Sequence, residues 1–166
     1  MIAKLIVEGK EFPIEILDPE LQKLLAPQKK TGYERAHGED YFYFEYGGEA
    51  VRAKSCNDID GNLYKSANYY SDEAVAENNA RADELMRQLR RFAVEHRKSG
   101  LNWSDTTQRK YYIYYDRRDN KIDIGHVIFS RDFGSIYFDT EEAAEAALST
   151  FKDELTWYFT EYKDSL

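Results

Sequence analysis

Thirteen residues near the C-terminus, Ile136 to Leu148 (IYFDTEEAAEAAL), restate the pattern of an earlier stretch, Asn68 to Ala80 (NYYSDEAVAENNA). In each, a short aromatic run ends at a candidate helix N-cap, Asp139 or Ser71, and an acidic, alanine-rich helix start follows. The likeness extends upstream. Tyr111 to Asp116 (YYIYYD) precedes the second stretch at nearly the distance that Tyr41 to Tyr46 (YFYFEY) precedes the first. A pattern that recurs with a period shorter than a domain means units that bury their apolar faces together. The expectation is an α+β fold of two tandem β-β-β-α repeats, residues 41–100 and 101–166, each a small antiparallel sheet covered by a long helix. An N-terminal hairpin and short helix (1–27) and a linker (28–40) come first. With 166 residues there is material for one good core, so a single globular unit is expected.

The N-terminal runs Ile2 to Val7 and Glu11 to Leu17 flank Glu8-Gly9-Lys10, and Phe12, Ile14 and Ile16 alternate with Glu11, Pro13 and Glu15 as a half-buried strand would. Pro13 has no N–H for a ladder, which places this strand at an edge. Asp18 as N-cap, Pro19 behind it and Leu21, Leu24 and Leu25 on one face predict a short helix ending by Pro27. Tyr41–Tyr46 and Glu49–Lys54 form a hairpin around Gly47-Gly48. A polar loop with Cys56, Asp58, Asp60 and Gly61 leads to a third strand ending near Tyr70, and a helix then runs from about Asp72 to Lys98 on the stripe Ala82, Leu85, Leu89, Phe92 and His96. Trp103 is expected as a buried wedge between the halves. In the second half, Arg109–Asp116 pairs with Lys121–Phe129, Ser135–Phe138 is a third strand, and Asp139 with Glu142 forms a capping box. That box opens one helix to about Lys163, with Ala144, Leu148, Phe151, Leu155, Phe159 and Tyr162 inward.

Chemistry is sparse. Asn57 to Asn62 resembles a calcium loop, but aligning Gly61 with the required glycine puts Cys56 at the first ligand and Ala67 where a bidentate glutamate belongs, so a polar turn is expected. His37, His96 and His126 have no partners at zinc spacing, Cys56 has no base beside it, and no phosphate-binding glycine loop occurs. No catalytic residue, metal or cofactor is expected. A single cysteine, no charged-then-apolar leader and no membrane-length apolar run predict a cytoplasmic protein without a membrane partner.

Binding is the remaining class. The net charge of −8 favours a basic partner over a nucleic-acid backbone. The charge is uneven, since the final helix carries Glu141, Glu142, Glu145, Asp153 and Glu154, while the earlier one ends in Arg87, Arg90, Arg91, Arg97 and Lys98. The acids are candidates for a partner's basic groove, or they are a solvated face. Tyr112 and Tyr114 share one face of their strand, either stacking on bases with Arg117, Arg118 and the basic helix end as phosphate contacts, or packing across strands.

Taken together, Tyr41–Phe44, Gly61-Asn62, Asn68–Ala74, Trp103 with Asp105, Gln108–Asp116 and Tyr137–Ala144 make the chain after about Asp40 resemble uncharacterised small acidic proteins of Firmicutes bacteriophages and integrated elements. The shared motifs are structural and carry no catalytic residue. What the resemblance implies is a setting in which accessory proteins act on host machinery. On that footing the expected function is anti-CRISPR: stoichiometric binding of a CRISPR effector nuclease that blocks guide or target engagement. The alternative is a nucleic-acid-binding or regulatory phage protein that uses its Tyr and Arg surfaces.

Overall fold

The computed structural model describes residues 2–7, 10–15, 17–19, 30–35, 39–45, 49–54 and 58–163. The chain divides into two compact units, Met1–Thr31 and Gly32–Leu166. In the first, β1 (Ile2–Val7) pairs antiparallel with β2 (Lys10–Glu15), Ile2 opposite Glu15 and Val7 opposite Lys10. Both strands of a two-stranded sheet are edges, so Pro13, opposite Lys4, breaks no inner ladder. Beyond Pro19 the expected helix to Pro27 lies outside the described residues, as do His37, Gly47-Gly48 and Cys56.

The second unit is α+β. Its first hairpin joins β3 (Asp40–Phe44) to β4 (Ala50–Lys54) and is covered on both faces. On one face Tyr41 stacks on Tyr69 at 4.3 Å, with Leu63 and Ala53 around them. On the other, Phe42 and Phe44 meet Tyr70, Val75 and Ala76. Leu63 comes from α1 (Asp58–Lys65), a helix where a polar turn was expected. Asp and Gly there read as turn chemistry, but Asp also suits a first helical turn, and tertiary burial decides. Asp60 is buried and accepts the Tyr41 hydroxyl at 2.8 Å. Gly32 to Arg35, read as linker, includes a docked stretch: Ser71 N–H donates to the Gly32 carbonyl at 2.7 Å, and Val75 packs where a Gly32 side chain would begin.

The third strand of each half is one bridge rather than a strand. Phe42 and Tyr70 exchange two backbone hydrogen bonds of 2.8 Å, and the Asn68 side-chain amide supplies the next rung to the N–H and carbonyl of Phe44. Tyr111 and Phe138 make the corresponding exchange at 2.9 and 2.8 Å. Pairing stops because the chain must enter a helix two residues later. The caps of those helices lie one residue beyond the expected ones. Helix α2 (Glu73–Glu95) is capped by Asp72, whose carboxylate accepts Val75 N–H, while Ser71 turns its hydroxyl to Glu34; the helix stops at His96, short of Lys98. Helix α3 (Glu141–Thr150) is capped by Thr140, so Asp139 and Glu142 form no capping box. Asp139 instead accepts the backbone N–H groups of Lys98, Ser99 and Gly100 at 2.7 to 2.9 Å and ties the end of α2 to the start of α3.

The second hairpin pairs β5 (Lys110–Asp116) with β6 (Lys121–Val127). The final helix is not continuous. It breaks at Phe151 into α3 and α4 (Lys152–Thr160), behind Ser149 and Thr150, which are weaker helix formers than the alanines before them. The break sets the Phe151 ring edge-on to Phe92 at 5.6 Å. The stripes are thereby thinned: Leu85, Leu89, Ala144 and Leu155 are buried, Phe92, Leu148, Phe151, Phe159 and Tyr162 are half-buried, and His96 is exposed, stacked on Phe92. Helix α2 serves two cores. Val75 and Ala76 pack on the first hairpin, while Leu85, Leu89 and Ala93 pack against Phe138, Ala143, Ala147 and Leu155.

Candidate interaction surface

Alternation along β5 sorts its side chains. Tyr111 and Ile113 face the core with Ile122 and Ile124, and Tyr115 stacks on Phe159 at 5.8 Å. The opposite face carries Lys110, Tyr112 and Tyr114. Tyr112 lies over Gly125, where an added Cβ would come within 2.8 Å of its ring, and it meets Tyr114 at 5.8 Å and Tyr137 at 6.0 Å. Trp103 continues the row edge-on to Tyr137 at 5.0 Å. Half-buried and outside the main core, Trp103 is a cover for this face, not a wedge between halves. The faces of its ring carry the negative lobes of the quadrupole, and two cations lie over it: the Arg131 guanidinium at 5.2 Å and Lys110 Nζ at 5.5 Å.

Lys110 is fully buried. Its ammonium makes no ion pair within 4 Å among the described residues and donates to the carbonyl oxygens of Asp105 (2.9 Å), Gln108 (2.9 Å) and Ile128 (3.3 Å). This pins the 103–108 loop and the end of β6 to β5. The segment after β6 is held again where the Tyr137 hydroxyl accepts the Asp132 N–H at 2.8 Å. A fixed loop thus presents Arg131 over Trp103 and leaves Phe129 79% exposed. Phe129, Arg131 and Trp103 were not among the residues expected to bind. A signal existed: Phe129 directly follows Ile128, so two apolar residues in succession break the alternation and one must face outward.

The expected contacts are scattered and unequal. Glu141, Glu145 and Asp153 are exposed and make no ion pair among the described residues, whereas Glu142 meets Lys98 at 3.4 Å. Glu154 is held bidentately by Arg81, at 2.8 and 3.0 Å, and Arg81 itself lies 4.0 Å over Trp157; the guanidinium keeps the Glu154 carboxyl below its ordinary value. Glu154 is therefore part of the fold's closure. Arg87, Arg90 and Arg97 are exposed on or just past α2, and Arg91 reaches Glu95 at 3.8 Å. At the β5–β6 turn Arg118 forms a fork with Asp116, and Lys121 meets Asp123 at 2.7 Å, each cation lowering its partner's pKa. With Arg117 and Asp119 included, the turn holds three cations against three carboxylates and has no net formal charge. Tyr112 and Tyr114 are half-buried; Tyr112 packs across the hairpin on Gly125, and Tyr114 meets Tyr112 along their own strand.

Among the described residues no three His, Cys, Asp or Glu side chains converge as a metal site, and no helix is long and apolar enough to cross a membrane. No family model, curated protein or solved structure matches the chain.

Proposed function

We propose that this chain is a non-enzymatic phage or mobile-element protein that binds a host defence complex, a CRISPR effector nuclease, in the bacterial cytoplasm and blocks nucleic-acid engagement. The resemblance to phage proteins supplies the partner class, and the outer face of β5–β6 supplies the contact. The observation that carries the reading is the row Arg131, Trp103, Tyr112 and Tyr114, joined through the buried Tyr137 and built from residue types that dominate binding hot spots, with the exposed Phe129 two residues before Arg131 on a pinned loop, so little order is lost on docking. The free carboxylates Glu141, Glu145 and Asp153 add steering toward a basic channel. The same reading takes the two halves as copies of one β-β-β-α unit. It is supported by bridges Phe42–Tyr70 and Tyr111–Phe138, each two residues ahead of a helix cap, Asp72 and Thr140.

Co-purification with a panel of effectors, with and without guide, followed by a cleavage assay, tests the proposal. A stoichiometric complex that suppresses cleavage and is lost in Arg131→Ala and Phe129→Ser is expected. No complex and undiminished cleavage across the panel overturns it. The nucleic-acid alternative is weakened by the ion pairs at the β5–β6 turn; it predicts a gel shift with single strands that fades steeply with salt.

A further inference from the structure

Beside the loop that follows β6 lies an open cavity of about 170 Å³ whose walls, mostly apolar, include Leu85, Leu89, Ile113, Phe138, Leu155 and Tyr158. Gly134 and Ser135, both exposed, form its mouth. A cavity of about 150 Å³ lined by Leu, Ile and Phe in another protein stays dry and binds benzene. Size and lining therefore suit one phenyl ring. The residue before the mouth is Phe133, and it is the most exposed large apolar side chain of the described residues, at 107%. Gly134 follows at φ +82°, and the Phe133 ring lies in solvent and does not line the cavity next to it.

We propose that the cavity receives the Phe133 ring of a second copy of this chain, two copies exchanging rings about a two-fold axis. Donor ring and acceptor cavity are neighbours on one surface, so a single rotation satisfies both at once and the assembly closes as a dimer. The flanking charges permit it. Arg131 and Asp132 beside the ring have opposite signs, and two such loops can face each other without net repulsion. The rest of the molecule opposes it, because each copy carries −8. Association through an apolar exchange against that repulsion strengthens as salt screens the charge, the reverse of an acid-on-base contact. This inference does not depend on the defence-complex reading.

Sedimentation equilibrium of the full chain over a range of protein and salt concentrations tests it. The wild type should rise from the mass of one chain toward two, at lower protein concentration when salt is raised. Phe133→Ser, which removes the ring, and Ser135→Trp, which blocks the mouth, should each stay at one chain with unchanged circular dichroism, both positions being exposed. Mixing the two variants should restore part of the dimer, since one ring and one open cavity then remain. Toluene, used as a phenyl probe, should bind Phe133→Ser and dissociate the wild-type dimer. A wild type that keeps the mass of one chain, a dimer that survives either substitution, or a Phe133→Ser protein that fails to bind toluene overturns the proposal.

Discussion

Two buried charges settle the geometry around the second hairpin, and each makes a residue-level prediction. Lys110 has the side chain to reach three carbonyl oxygens at once, and a hydrocarbon in its place leaves them unpaired. Lys110→Met should lower the unfolding free energy by about 1.5 to 3 kcal/mol in a urea titration, the range for hydrogen bonds to a charged group. Asp139 is governed by opposing effects. Burial pushes its carboxyl up, and the N–H groups of Ser99, Gly100 and Lys98 more than reverse this, holding it below the ordinary carboxylate value. A group depressed in the folded state stabilises above its unfolded pKa, about 3.9, and that stabilisation is lost as pH falls through the folded value. Stability should therefore fall between about pH 5 and pH 2, and less steeply over that window in Asp139→Asn. An unchanged slope in the variant would show that other carboxylates govern the acid limb. Neither role is legible in the sequence. Asp139 sits where an N-cap belongs, and Lys110 sits where a strand would show a lysine to water.

The elements were legible to the extent that their signals are local. Helical periodicity located α2 and the α3–α4 pair, and alternation located β5 and β6, because those patterns are set by each element's own geometry. The caps were misplaced by one residue in both halves for a shared reason: Ser71 and Asp72, like Asp139 and Thr140, are both competent, and pairing upstream decides between them. Asp72→Ala should cost about 1 kcal/mol, as loss of a cap does, and Ser71→Ala distinctly less, by thermal denaturation. Helix α1 and the Phe151 break escaped because burial, not propensity, sets them. The packing of the β5–β6 outer face is also nonlocal. Gly125→Ala should destabilise by about 1 to 3 kcal/mol, since its Cβ meets the Tyr112 ring, and that loss should shrink in a Tyr112→Ala background. Additive losses would mean that the ring simply swings aside.

At the scale of the molecule, what the repeat concealed is that α2 belongs to both halves. Reading each helix as the cover of its own sheet places Leu85 and Leu89 over the first hairpin, whereas they meet Phe138 and Leu155. Leu89→Ala should cost about 2 to 5 kcal/mol, and it should shift the unfolding of both hairpins together when each is followed by hydrogen exchange. Separate transitions would show that the helix does not couple them. The shared helix also has a consequence during synthesis. Ala93 leaves the ribosome 62 residues before Leu155 does, and at about 5 to 20 residues per second that interval lasts roughly 3 to 12 seconds. For that time the core around the helix's leucines lacks its last member, and the apolar face of the nascent chain stays partly open until the final helix arrives.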